Sequence, residues 1–244
     1  MDRVTVCRVR VLEVLPLVGS TQCLRLLLEG SESEAVIPGQ YCVLNDSRRE
    51  PRTFDYVSLP GRDQRFIVAT SQPGLSLSTL DQLSYRGPFG SGWPLPLGAS
   101  RLLVFASERG ILAVAAAIDE FACWMPWVRV VLIHDATSPA HLPDDCRSWL
   151  RSLGLLAEAG LDSCPVERLR DHLSKQLPDL VYCAAPAPLA QRAARLCQWY
   201  GVPAYRIWLR DERCFPSAGA WPTSNLDGPV LRFDRLNGRI RNRP

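Results

Sequence analysis

The sequence predicts an antiparallel β-barrel followed by an α/β domain built on a doubly wound parallel sheet. Three observations carry this. From Val4 to Leu97 apolar residues recur with period two in short runs. From Arg101 onward apolar runs alternate with stretches of helical period. The change of texture falls at "PLPLGASR", a Pro- and Gly-rich linker over residues 94–101. The expected division is 1–98 for the barrel, 101–210 for the α/β domain and 211–244 for a C-terminal tail.

In the first part "VTVCRVRVLEVL", "TQCLRLLLEG", "YCVLND", "FDYVSLP" and "RFIVAT" are strand candidates separated by Gly, Pro, Asn and Asp. Six or so short strands at this spacing suggest a closed barrel. In the second part "RLLVFA" is a buried strand and "RGILAVAAAIDEFACWM" a helix, followed by a second strand, "VRVVLIH". Helices are expected around "PDDCRSWLRSLG" and over "PVERLRDHLSKQL", the latter with Val166, Leu169, Leu173 and Leu177 on one side. "DLVYCAA" is a strand, "PLAQRAARLCQWYG" a helix, and "AYRIWLR" the last strand. Strands alternating with helices imply a parallel sheet covered on both faces.

Composition narrows the function classes. Hydrophobic residues make up 47% and charged residues 22%, a globular balance. The net charge of +3 is too small, and its arginines too scattered, for a nucleic-acid surface. The N-terminus alternates and lacks the apolar block of a signal peptide. The longest apolar run, "GILAVAAAI", is too short to cross a bilayer. No membrane insertion and a cytoplasmic location are therefore expected. Nine cysteines without a CxxC pair fit reduced thiols, and no zinc site is written.

The segment "SYRGPFGSGWPL" (Ser84 to Leu95) is the densest in glycine and proline. Gly87, Gly90 and Gly92 permit either a tight turn or a close approach of something to the backbone. Taken alone it reads as a turn.

Taken together, these segments resemble the ferredoxin–NADP reductase superfamily, a flavin-binding barrel followed by a pyridine-nucleotide domain. The layout is most similar to its small electron-transfer subunits, of the dihydroorotate dehydrogenase, anaerobic sulfite reductase and sulfhydrogenase type. The resemblance runs from about Val4 to Trp221 and implies three stations: FAD on the barrel, NAD(P) on the second domain, and a [2Fe–2S] cluster on a C-terminal cysteine loop.

At the flavin station "RTFD" is similar to the family's Arg-x-Tyr-Ser strand. The resemblance gives Arg52 to the pyrophosphate, whose oxygens suit a planar fork of donors. It puts the Phe54 ring on the flavin, with Thr53 between them, while Asp55 replaces the serine. "PGQYCVL" resembles the Pro-Gly-Gln-Phe strand. "PGLSLSTL" resembles a phosphate-holding turn, implicating Gly74, Leu75 and Ser76. "RGPFGSGWPL" is close to the family's Gly-Pro-Phe-Gly-Asn-Gly-Phe, which brings in Gly87, Pro88, Gly90 and Gly92 as places where a flavin presses on the backbone.

At the nucleotide station the turn "ASERGILA" keeps Gly110 of the family's Gly-x-Gly-x-Ala-Pro. Glu108 stands where a glycine is expected and Ala113 where the proline is. A carboxylate about 4 Å from a phosphate charge costs on the order of 4 kcal/mol at an effective dielectric near 20. The later Cys-Gly-Pro-x-Pro-Met motif has become "AAPAPL", with Ala184 and Ala185 in the first two places and Cys183 one residue early. At the cluster station only Cys214 survives, and one thiolate cannot hold a [2Fe–2S] cluster, so none is expected.

Other features are bland. His134 and Asp135 end a strand where a doubly wound sheet places ligands, and equally open a loop. His141 and His172 lack a second ligand at metal spacing. Trp93, Trp199 and Trp208 fit core or interface positions, and Trp221 is a candidate to cover a flavin.

The expected function is an oxidoreductase-type flavoprotein subunit that passes electrons between FAD and a partner protein or catalytic subunit. The cofactor carries the chemistry, so no side chain is expected to act as acid or base. The alternative is a non-catalytic scaffold or regulatory subunit of a redox complex.

Overall fold

The structure, a computed structural model, describes residues 7–17, 21–30, 34–45, 50–70, 77–107, 109–135, 143–155, 164–211, 215, 222 and 228–236. The first six strands are β1 (Cys7–Pro16), β2 (Gln22–Glu29), β3 (Tyr41–Asn45), β4 (Arg52–Tyr56), β5 (Arg65–Thr70) and β6 (Gln82–Phe89). They close into a barrel in the order β1-β2-β5-β4-β3-β6, with every neighbouring pair antiparallel. Closure decides which half of each alternating strand points inward. Val9, Val11, Leu24, Leu26, Cys42, Leu44, Phe54, Tyr56, Phe66, Val68, Leu83 and Tyr85 form the interior. The hydroxyls of Tyr56 and Tyr85 satisfy each other there at 2.5 Å.

The segment read as a turn is a strand as far as Phe89. Its glycine and proline sit at a bulge: Tyr41 pairs with Phe89 and Val43 with Arg86, so β6 carries one residue more than β3 between them. A proline is tolerated in a sheet at such a place, because no ladder N–H is demanded of it.

The second unit contains β7 (Arg101–Ser107), α1 (Gly110–Trp124), β8 (Arg129–Asp135), α2 (Asp144–Ser152), α3 (Pro165–Lys175), β9 (Leu180–Ala184), α4 (Ala187–Trp199), β10 (Ile207–Arg210) and β11 (Val230–Arg232). The sheet order is β11-β10-β9-β7-β8. Strands β8, β7, β9 and β10 run parallel, as expected. β11 adds an antiparallel edge, so the sheet is mixed. The expected C-terminal tail is therefore partly folded: Val230, Phe233 and Leu236 are buried against the sheet. Alternate residues of β7 feed two cores, Leu102, Val104 and Ala106 toward α1 and α2, Leu103 and Phe105 toward α3 and α4.

Helix α1 is apolar along most of its length, and its burial explains why. Besides the sheet it packs against the barrel's outer face, where Cys23, Val57, Ile67 and Ala69 join the same core. The two units thus share one hydrophobic layer. At the N-terminal ends of the strands, Asp179 ties β9 to β7 by accepting hydrogen bonds from the backbone N–H groups of Ser100 and Arg101, each at 3.0 Å, and the Ser100 hydroxyl at 2.9 Å. No helix among the described residues is long and apolar enough to cross a membrane.

Candidate functional site

Of the expected site residues that the structure describes, Arg52, Thr53, Phe54 and Asp55 lie on β4, Gly87 and Pro88 in β6, Gly90 and Gly92 just after it, and Gly110 at the start of α1. Strand β4 presents Arg52, Thr53 and Asp55 half-buried and turns Phe54 and Tyr56 inward. Phe54 is 1% exposed and belongs to the barrel interior. Strand alternation puts its ring on the inner side of the wall, among the barrel's own side chains.

Asp55 is the residue at which the chain departs from its expected pattern, and the structure supplies the reason. Its carboxylate is paired with the guanidinium of Arg210, the last residue of β10. A barrel strand and a sheet strand 155 residues apart in sequence are thereby joined. Arg210 is 3% exposed on its side chain. Its guanidinium lies over the Phe215 ring, 4.9 Å from the centroid, and Phe215 meets Tyr41 of β3 edge-on at 5.0 Å. Only Nη2 is engaged; Nε and Nη1 are buried without a hydrogen-bond partner.

The glycines of the segment after β6 are close to something, and that something is the chain itself. A Cβ on Gly90, whose φ is +81°, would stand 2.8 Å from the Cα of Gly228. One on Gly92 would stand 2.6 Å from the Pro38 carbonyl oxygen, and one on Gly87 3.0 Å from Cys42 Cβ and from the Tyr56 hydroxyl. Pro88, linked to Gly87 by a cis peptide, is buried. On the side where a Cβ would stand, Gly87, Gly90 and Gly92 accommodate backbone and side chains of the protein. The Gln40 side-chain amide donates to the Gly90 carbonyl at 2.8 Å, and the Ser91 hydroxyl to the Val230 carbonyl at 2.8 Å. The segment is a clasp. Its Trp93 stacks on Tyr182 of β9, centroids 4.7 Å apart, and donates its indole N–H to the Ala113 carbonyl of α1 at 3.0 Å. Burial raises the pKa of the Tyr182 hydroxyl, so it stays protonated and donates to the Pro94 carbonyl.

Gly110 has the same explanation in the other unit. A Cβ there would lie 1.7 Å from the Ala184 carbonyl oxygen, so glycine is what lets α1 dock on the end of β9. Helix–strand contact occupies the side of Gly110 where a Cβ would stand. Gly74, Leu75, Ser76, Glu108, His141, Cys214 and Trp221 lie outside the described residues. The His134 carbonyl accepts a hydrogen bond from the Arg168 guanidinium at 2.5 Å, which fixes α3 against the end of β8. Burial, with Arg129 and Lys175 nearby, lowers the pKa of His172 and favours its neutral form. Trp93 is buried and Trp208 half-buried, but Trp199 is 86% exposed, contrary to a core position. Among the described residues no group of three or more His, Cys, Asp or Glu could hold a metal ion.

Arg210 was not among the expected site residues. Its sequence signal was faint: a charged residue closing an apolar strand, with no partner nearby in the chain.

Comparison with known proteins places this architecture. A scan against models of protein families finds no match. Among curated proteins, the chain is 23% identical over 216 residues to a probable dihydroorotate dehydrogenase B (NAD(+)) electron transfer subunit of Methanopyrus kandleri, spanning 82% of this chain and 81% of that one. Among solved structures, it is similar to an NADH-dependent reduced ferredoxin–NADP oxidoreductase (TM-score 0.69, 13% identity, 100% of this chain and 95% of the other). A cytochrome P450 reductase of Amycolatopsis superposes with TM-score 0.67 at 17% identity over 83% of this chain and 68% of that one. The ferredoxin reductase in carbazole 1,9a-dioxygenase superposes with TM-score 0.65 at 16% identity over 84% and 68%. All three share the barrel-then-sheet fold.

Proposed function

We propose that the chain is a member of the ferredoxin–NADP reductase superfamily and a FAD-binding electron-transfer subunit, passing electrons between the flavin and a partner protein. The observation that carries this is the seam at β4. A barrel strand bearing Arg52, Thr53 and Asp55 meets an arginine of the sheet whose Nε and Nη1 await acceptors. That donor set fits a ligand with phosphate and ring-carbonyl oxygens. Arg52 holds the pyrophosphate, Thr53 and Asp55 line the approach, and Gly74, Leu75 and Ser76 supply the second phosphate contact. Bound FAD would supply the redox chemistry, accepting a pair of electrons and releasing them singly or together. The chain's own task is to hold the dinucleotide and exclude water from it. Two relatives, one named as an electron transfer subunit and one as a ferredoxin reductase, support a protein partner. The scaffold reading has no such support.

Electrons enter from that partner rather than from a nicotinamide, a reading favoured by the departures from the nucleotide motif, with Glu108 in a glycine's place and Ala184 and Ala185 in place of its cysteine and glycine. We place the protein in the cytoplasm, where a reducing environment suits its scattered cysteines, which form no CxxC pair.

A visible spectrum of the purified chain, before and after added FAD, tests the proposal. The expected result is uptake of FAD with a protein-shifted flavin absorption, and no bleaching on adding NADH or NADPH. A colourless chain that takes up no FAD overturns the flavin reading. Bleaching by either nicotinamide overturns the assignment of the electron source alone.

A further inference from the structure

Arg210 combines three properties that packing alone does not require. It is almost completely buried, it carries a fixed charge, and two of its three nitrogens have no partner. A bridge between two units would be as well served by a hydrogen-bonded neutral pair, which avoids desolvating two charges. Its flat face is already fixed by Phe215, and its Nη2 by Asp55, so the remaining donors are held in place before any ligand arrives. Preorganised donors in a low-dielectric seam act most strongly on a ligand whose charge changes.

Resting on the flavin reading above, we propose that Arg210 senses the charge of the bound flavin. Its idle donors meet acceptor atoms of the ring, and its positive charge favours the reduced ring over the oxidised one. Taking up two electrons and one proton converts the neutral oxidised ring into one bearing a single negative charge. A cation beside it stabilises that state and leaves the oxidised state nearly unaffected. Asp55 works against the effect, because its carboxylate offsets the guanidinium charge. The pair therefore sets the balance between the two oxidation states, and its two members act with opposite sign.

The test uses the full chain with FAD as the probe. Affinity is read from quenching of FAD fluorescence, and the oxidised-to-reduced ratio is read at equilibrium against a dye of known potential during reduction by dithionite. In Arg210→Gln the preference for reduced flavin falls roughly tenfold, about 30 mV for a two-electron couple. In Asp55→Asn it rises by a similar factor, and Arg210→Lys, which keeps the charge, stays near wild type. A residue that merely joined the two units would lower stability in both variants and move neither potential. Folded variants with the wild-type ratio overturn the proposal and leave the flavin reading standing. A wild-type chain that takes up no FAD overturns both. Should Arg210→Gln fail to fold, Asp55→Asn decides: a rise in the preference supports the proposal and an unchanged value overturns it.

Discussion

Gly90 and Gly110 lie in different units and carry one signature, a backbone that something approaches closely. Arg210, between the units, carries the opposite signature. The glycines are satisfied by the chain, with Gly228 standing 2.8 Å from one absent Cβ and the Ala184 carbonyl oxygen 1.7 Å from the other. Arg210 is left with donors that nothing satisfies. Close approach at a glycine is thus silent about what approaches. An orphaned buried donor is informative, because leaving it unmet costs about 1–3 kcal/mol that a ligand can recover.

The strongest way to break this comparison is Gly110→Ala. The new methyl collides with backbone, which cannot swing aside, and overpacking of this kind costs about 3 kcal/mol or more. Denaturant unfolding should show that loss or an insoluble protein. A variant of wild-type stability would return Gly110 to the ligand side.

Gly90→Ala should cost less, about 2 kcal/mol, from a strained φ of +81° and contact with the loop around Gly228. That contact lies immediately before β11, so limited proteolysis should cut near Gly228 sooner than in wild type. Unchanged cleavage would show that the clasp does not hold that segment.

The smallest effect sharpens the contrast from the side of a satisfied polar group. Burial opposes the shift, but the hydrogen bonds from Ser100 and Arg101 and the Arg101 charge outweigh it and hold the Asp179 carboxyl below its ordinary range. A carboxyl with a depressed pKa contributes stability that is present above its unfolded pKa and lost as pH falls through the folded one. Asp179→Asn should therefore cost about 1 kcal/mol at neutral pH, solvent screening included, and nothing in strong acid where wild type is protonated. Unfolding midpoints measured from pH 7 down to pH 2 would check it. A difference that persisted at pH 2 would mean the side chain acts by shape rather than by charge.

Much of the fold was legible. The strands of the barrel and of the sheet follow from apolar period two and from buried runs, because a barrel wall has one dry face and a parallel sheet has two. β6 was read as a turn, since a bulge concentrates the same glycines and prolines that a turn does. β11 was missed because three residues, Val230–Arg232, leave no periodic trace. At the candidate site the strand bearing Arg52 and Asp55 was found, but the part each residue plays was only half legible. The side of the barrel wall that Phe54 faces depends on how six strands close.

The sequence by itself determined the order of the elements, the two-unit architecture and the apolar character of α1, all set by local patterns of hydrophobicity. Tertiary structure alone decided what each glycine makes room for, that Asp55 has a cation for a partner, and that Arg210 retains two unmet donors. These are properties of residues far apart in the chain, and only packing brings their atoms within bonding distance.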